Sequence, residues 1–311
     1  MGIAGVVMMK VLIAGSGVIG TVYGAHLAAA GHAVSVLSHP ARTDEVAISG
    51  LRARDALNGN LTEAAVSVVP AIGSDRYDLV LVTVRADQVT AACAQLADLA
   101  GEPTVLLFGN NPGGRNTAGV ALAGRVRQGF PGVGGVLQEG VARYVRIPRQ
   151  PTALETGSDP RLAEFEQTLR TRGFAVQRVG EMDGWLVYHA AFVACVAAAL
   201  LRCGTDPQRL AADRPAMRLM CAAVTESFAA LRHAGVPGQP RDLAVLHHPL
   251  LRPVAVGYWT RTMRSPAGEL WFAAHCRHAQ AEMRALAARV VVEIGDSPRT
   301  ARARLLLQAH P

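Results

Sequence analysis

Lysine is almost missing from this chain. Among 31 basic residues in 311, Lys10 is the only lysine, and the other thirty are arginines. Proton donation by a lysine ammonium anywhere beyond position 10 is therefore excluded. Arginine does not fill the gap, because a guanidinium does not give up its proton in proteins. Aromatic residues are also few, at 5%. The arginines are spread without a basic block or interleaved aromatics, so the net charge of +7 favours small anionic ligands and leaves no nucleic-acid footprint. The five cysteines, Cys93, Cys195, Cys203, Cys221 and Cys276, form no Cys-x-x-Cys and no metal-ligand spacing. That pattern fits a reducing, cytoplasmic setting with no metal site. No uninterrupted apolar run reaches the roughly 18 residues that span a bilayer. The longest, Ala190 to Leu201, reads as a buried helix, and no membrane association is expected. The apolar stretch Met1 to Met9 has no basic leader and merges into the first strand, so a signal peptide is not expected. With half its residues hydrophobic and 18% charged, the chain should pack as a globular protein.

What is present begins at Lys10-Val-Leu-Ile-Ala-Gly15-Ser16-Gly17-Val18-Ile19-Gly20. A short apolar strand enters a Gly-x-Gly-x-x-Gly turn, which opens a stretch of helical spacing. In that context the motif is a dinucleotide fingerprint. Gly15 permits the turn, Gly17 leaves room for a pyrophosphate, and Gly20 lets helix and strand approach. The helix N-terminus then faces the phosphates.

Strand and helix alternate through the first third: strands at Lys10–Ala14, Ala33–Leu37, Val66–Val69, Leu79–Val84 and Thr104–Phe108, with helices at Val22–Ala30 and Asp87–Ala100. Alternation of this kind predicts a doubly wound parallel sheet of Rossmann type. Phe130 to Thr156 is rich in Gly and Pro, with short β pieces at Val133–Leu137, Ala142–Ile147 and Thr152–Glu155. A helix near Pro160–Arg172 and a strand at Ala175–Val179 follow. From Glu181 the strand signal ends, and helices are predicted at Asp183–Leu201, Pro215–His233, Leu270–Val292 and Pro298–Gln308. The expectation is an α/β domain over residues 1–180 and an all-α domain over 181–311, the second serving substrate binding and compatible with a homodimer. Ligands of such folds bind at the carboxyl ends of the strands.

An NAD site usually places an acid about 20 residues past the fingerprint, on the ribose hydroxyls. Strand two here ends Leu37-Ser38-His39-Pro40-Ala41-Arg42, with no acid before Asp44. Ser38 and Arg42, with His39, suit a 2′-phosphate, so NADP(H) is expected. The plainer alternative makes Arg42 an exposed loop residue.

Three segments in this half resemble the ketopantoate reductase family. Gly15 to Gly20 is similar to its fingerprint. Val82-Thr-Val-Arg85-Ala-Asp-Gln88 resembles Val-x-Val-Lys-x-x-Gln, and Leu106-Leu-Phe-Gly-Asn110-Asn111 resembles Leu-Leu-x-Gln-Asn-Gly. The resemblance implies that Arg85 stands for a lysine beside the cofactor, with a planar fork in place of a point charge. It implies that Asn110 lies near nicotinamide and substrate. In the second half the family opens a long helix with Trp and places its catalytic lysine two residues later. Here that segment is Trp185-Leu186-Val187. The lysine position is Val187, and the family's two following asparagines align with Ala191 and Cys195. Glu269 is the counterpart of a substrate-side glutamate, in a segment (Thr260–Glu269) that matches poorly.

Other groups on that helix could carry a proton. His189 lies four residues past Trp185, on the same face, and histidine is the usual general acid or base near neutrality. A histidine satisfied within the helical domain is the equal alternative. Tyr188 could donate to a carbonyl, although packing is its commoner use. Glu226, inside an apolar helix, is expected to pair with an arginine. The apolar run from Ala190 to Ala198 suits a substrate less polar than ketopantoate, or a domain core. Three readings follow: an NADPH-dependent reductase of a carbonyl or imine in such a substrate, a non-redox cyclisation or isomerisation in the same cleft, and a nucleotide-binding protein without catalysis. Gly15, Ser16, Gly17, Val18, Ile19, Gly20, Ser38, Arg42, Arg85 and Asn110 are the expected cofactor residues, and His189, Asn110 and Glu269 the expected catalytic ones.

Overall fold

A computed structural model describes residues 7–147 and 149–308. The start of the apolar N-terminal stretch, Met1 to Val6, lies outside the described residues. The chain divides into two compact units, Met1–Gly180 and Glu181–Pro311.

The first unit runs β1 (Lys10–Ala14), α1 (Val18–Ala28), β2 (Ala33–Leu37), α2 (Pro40–Ser49), β3 (Leu51–Asp55), β4 (Leu61–Ala64), β5 (Ser67–Val69), β6 (Leu79–Val82), α3 (Val89–Gln95) and β7 (Thr104–Phe108). It continues with β8 (Val126–Phe130), β9 (Val133–Gln138), β10 (Val141–Arg146), β11 (Thr152–Glu155), α4 (Pro160–Thr171) and β12 (Val176–Val179). Eight strands form the main sheet in the order β12-β11-β8-β7-β6-β1-β2-β5. All neighbours are parallel except β8 and β11. The central strands β1, β6 and β7 are buried along almost their whole length, as sheets covered on both faces require. The doubly wound α/β class expected from the alternation is thus the observed one.

A second, four-stranded sheet, β4-β3-β10-β9, was not foreseen. It covers α1 from the side away from the main sheet. A Cβ placed on Gly24 would lie 2.6 Å from Leu51 of β3 and 3.3 Å from Ile13 of β1. Helix α1 is therefore sandwiched between two sheets, and it is correspondingly apolar all round. Tyr23 of α1 anchors this core edge-on to Phe108, with ring centroids 4.7 Å apart. Its hydroxyl lies 2.7 Å from that of Thr152 and accepts from Gly132 N.

The second unit is helical: α5 (Met182–Arg202), α6 (Pro207–Ala212), α7 (Arg214–His233), α8 (Arg241–Leu246), α9 (Arg252–Arg264), α10 (Pro266–Gly268), α11 (Ala274–His278), α12 (Gln280–Ile294) and α13 (Ala301–Leu307). The single helix predicted over Leu270–Val292 is instead a π turn at Glu269–Ala273 followed by α11 and α12, broken at Ala279 (φ −126°, ψ 38°). Helix α5 is long and apolar enough by composition to cross a membrane, yet most of it is buried inside the protein. It is the core helix of its unit, packed against α7, α12 and α13. Glu226 of α7 accepts from the backbone N–H groups of Arg302 and Ala303 and from the Arg302 side chain at 2.6 Å. It caps α13, and the expected arginine partner is Arg302.

Candidate functional site

Four of the expected cofactor segments follow the carboxyl ends of four adjacent parallel strands. Ser38 follows β2, Gly15–Gly20 follows β1, Arg85 follows β6 and Asn110 follows β7. At about 4.8 Å per strand, this row spans roughly 14 Å along one sheet edge. The chain leaves β1 toward β2 on one side, while β6 and β7 lie on the other. That reversal of winding is the crevice where doubly wound folds bind ligands. Lys10 begins β1, at the opposite edge of the sheet.

The turn itself is held from behind. Gly15 adopts φ +111°, a region other residues rarely visit. Thr83, one residue past β6, donates from its hydroxyl to Gly15 O at 2.7 Å. The Ser16 and Ser38 hydroxyls are 2.7 Å apart and tie the ends of β1 and β2 together. The Thr83 contact escaped the sequence reading. Its only signal was a threonine between two valines at the end of a buried strand. A Cβ on Gly20 would meet Gly15 O at 1.9 Å, whereas one on Gly17 would meet nothing within 4 Å. The N-terminus of α1 opens at Gly17, and among the described residues no side chain caps it. Uncapped amides facing open space, with the helix dipole behind them, are what a pyrophosphate requires. The side chains of Val18 and Ile19 pack against the core of the unit, leaving their backbones to line the turn.

Arg42 is not a loop residue. It lies in the first turn of α2, which starts behind His39 as N-cap, with Pro40. Its guanidinium pairs with Glu45 at 3.3 Å and donates to Thr21 Oγ1 at 3.4 Å. The positive fork is thus fixed beside the first turn of α1, but it already holds a carboxylate. Arg85 is more open and forms a two-pronged pair with Asp87 at 3.2 and 3.3 Å. Of the neighbouring asparagines, Asn111 donates to Gly114 O and Thr117 Oγ1 and so holds its loop. Asn110 differs: its Oδ1 is buried with no hydrogen-bond partner among the described residues. An orphaned acceptor costs roughly 1–3 kcal/mol, so a ligand donor at this point would relieve it.

In the helical unit, the α5 face where the resemblance implies one lysine and two asparagines carries Val187, Ala191 and Cys195. The last two are buried, and Cys195 Sγ lies 3.9 Å from Ser227 Oγ. This face offers no acid. His189 does stack on Trp185, with rings 5.0 Å apart and near parallel, as their spacing predicts. It is only 2% exposed, and burial pushes its pKa down to about 3. Desolvation favours the neutral imidazole, which weighs against His189 as the proton donor and toward the alternative of a histidine held within the helical unit. Tyr188 is also committed, donating to Val236 O at 3.1 Å. Glu269 opens the π turn, partly exposed, and its carboxylate is paired with Arg277.

Residues 11–139, less than half of the chain, match the model of a family described as ketopantoate reductase PanE/ApbA. No curated protein sequence matches the chain. Among solved structures, it is similar to a PanE/ApbA family ketopantoate reductase from Ralstonia eutropha JMP134, with TM-score 0.73, 23% identity and 96% of each chain covered. It is similar to a D-mandelate dehydrogenase solved with NADH and anilino(oxo)acetate, with TM-score 0.72, 15% identity and coverage of 97% and 98%. A probable 2-dehydropantoate 2-reductase from Bacillus subtilis follows, with TM-score 0.68, 16% identity and coverage of 96% and 98%. At these identities the likeness is one of fold. The resemblance read from the three N-terminal segments stands.

Proposed function

We propose, for a chain whose N-terminal unit resembles the ketopantoate reductase family, a cytoplasmic NADPH-dependent reductase of a keto group in a relatively apolar small molecule. The observation that carries this reading is the uncapped N-terminus of α1 opening into free space at Gly17, in line with an orphaned acceptor at Asn110 two strands away. The residues present fit a dinucleotide. Gly15–Gly20 would hold the pyrophosphate, Ser38 and Arg42 the ribose end, and Arg85 and Asn110 the other end of the row. When bound, the reduced nicotinamide supplies a hydride. Val187, Ala191 and Cys195 supply no polar side chain where the resemblance implies a lysine and two asparagines, which supports a substrate with few polar groups. With His189 neutral and Tyr188 committed, water supplies the proton, and His189 with Trp185 positions the helix. NADH-bearing neighbours and the Arg42–Glu45 pair leave the 2′-phosphate preference to be measured.

The test starts with nicotinamide fluorescence on titration with NADPH and NADH. Tighter binding of NADPH is expected. Arg42→Gln should weaken NADPH roughly 10- to 100-fold, the worth of a hydrogen bond to a charged group, and leave NADH unchanged. Binding of neither nucleotide would overturn the assignment. NADPH consumption is then followed with aryl and alkyl 2-keto acids, ketones and imines. In His189→Ala the pH profile of kcat/KM should keep its shape. Loss of a limb near neutrality in that variant would make His189 the acid after all. A second reading, a non-redox isomerisation or cyclisation, is favoured by the missing acid on α5. It predicts nucleotide binding without NADPH consumption across the panel.

A further inference from the structure

A cavity within the helical unit uses none of the residues considered so far as catalytic or cofactor-binding. Its volume is about 1050 Å³. Arg214 and Arg218 reach it from α7, Arg252, Arg261 and Arg264 from α9, and Arg302 from α13. No carboxylate lines it. Arg302 is balanced by Glu226. Among the described residues none of the other five has an ion pair, and Arg252 Nε is buried without a hydrogen-bond partner.

Helical spacing makes this concentration deliberate in effect. Arg214 and Arg218 are four residues apart on α7, and Arg261 and Arg264 three apart on α9. Both pairs are like charges in neighbouring positions, which destabilise a helix. Two such pairs face one space with nothing of opposite sign to offset them. Arginine forks are the side chains that bind phosphoryl oxygens two at a time. The remaining wall is apolar, from Leu219 and Ala222 on α7 and Pro253 and Val256 on α9. A site lined by five unbalanced forks together with aliphatic surface matches a ligand with several phosphoryl charges and a less polar body. We infer that this cavity is a binding site for a small organic polyphosphate, separate from the dinucleotide turn.

The fingerprint turn could also take up free polyphosphate, so the experiment blocks it. The full chain carrying Gly17→Asp is titrated calorimetrically with phosphate, pyrophosphate and tripolyphosphate at matched ionic strength. Affinity should rise at each step, with one tripolyphosphate per chain. Arg218→Gln with Arg261→Gln should weaken tripolyphosphate at least tenfold, as expected for losing charge-assisted contacts. Arg261→Gln alone, on the exposed side of α9, should weaken it by a smaller factor and serves if the double variant does not fold. Equal affinity for phosphate and tripolyphosphate, or variants that bind as tightly as the Gly17→Asp parent, would overturn the site. The outcome is independent of whether the chain reduces any substrate.

Discussion

Gly17→Asp is expected to abolish dinucleotide binding without destabilising the protein, whereas Gly20→Ala should damage both. Gly17 sits at the N-cap of α1 with φ −68° and ψ −168°, an extended conformation open to any residue. Nothing lies within 4 Å of an added Cβ. Aspartate is among the best N-cap residues, and replacing the glycine gains a few tenths of a kcal/mol. Its carboxylate would take the free amides and repel phosphate. Affinity should fall at least a hundredfold, about 2.7 kcal/mol. At Gly20 a methyl group would stand 1.9 Å from Gly15 O and 2.7 Å from Thr83 Oγ1. A backbone oxygen cannot rotate away, so α1 must shift off β1. Overpacking of this kind costs about 3 kcal/mol or more, and the turn is displaced with it. Denaturant melts and NADPH titrations on both variants separate the two roles. Unaltered affinity in Gly17→Asp would mean that the nucleotide does not approach α1.

The residues that carry the cofactor reading were legible because their signals are local. Strand, turn and helix lie within twenty residues around Gly15, and the buried runs of β6 and β7 need no distant partner to be recognised. The second sheet was not legible for the opposite reason. Leu51-Arg-Ala-Arg-Asp55 and Leu61-Thr-Glu-Ala64 are polar segments that become strands because the first pairs with β10, far along the chain, the second pairs with the first, and both cover α1. Helix α9 was not among the helices predicted, and it begins Arg252-Pro253. Proline is tolerated in the first turn of a helix, where it stands here. The break at Ala279 has neither Gly nor Pro to announce it. In the site, residue identity showed that Val187 is no acid. Only burial could show that His189 is not a charged one. Arg42 was read without its partner: Glu45, three residues on along the same helix, became visible as that partner only once α2 was recognised.

Buried histidines give the other large effect, a loss of stability on mild acidification. His26, His189 and His247 are 4%, 2% and 3% exposed. Burial is the largest cause of depression for each, and their pKa values are lowered to about 4, 3 and 4. For His26 the nearby Arg172 and Arg146 add to it. Geometry agrees for two of them. Arg172 Nε donates to His26 Nδ1 at 3.4 Å, and Trp259 Nε1 donates to His247 Nε2 at 3.0 Å. Each of those ring nitrogens must carry a lone pair, so protonation there breaks a buried contact. A group with a depressed folded pKa binds protons in the unfolded state first. The folded protein is therefore fully stable above the ordinary histidine value of about 6.5, and loses stability as pH falls from there toward 3–4. At pH 5 the loss is about 2 kcal/mol per histidine. His189 and His247 belong to the helical unit, which should lose on the order of 4 kcal/mol by that pH, and His26 should cost the N-terminal unit about half as much. Thermal melts at pH 7.5, 6 and 5 would show the Tm falling. In His247→Gln, where the amide oxygen can still accept from Trp259, the acid sensitivity should be visibly reduced. An unfolding temperature that stays level between pH 7.5 and 5 would mean that these imidazoles are hydrated and can be charged in the folded state, which would restore His189 as a candidate acid.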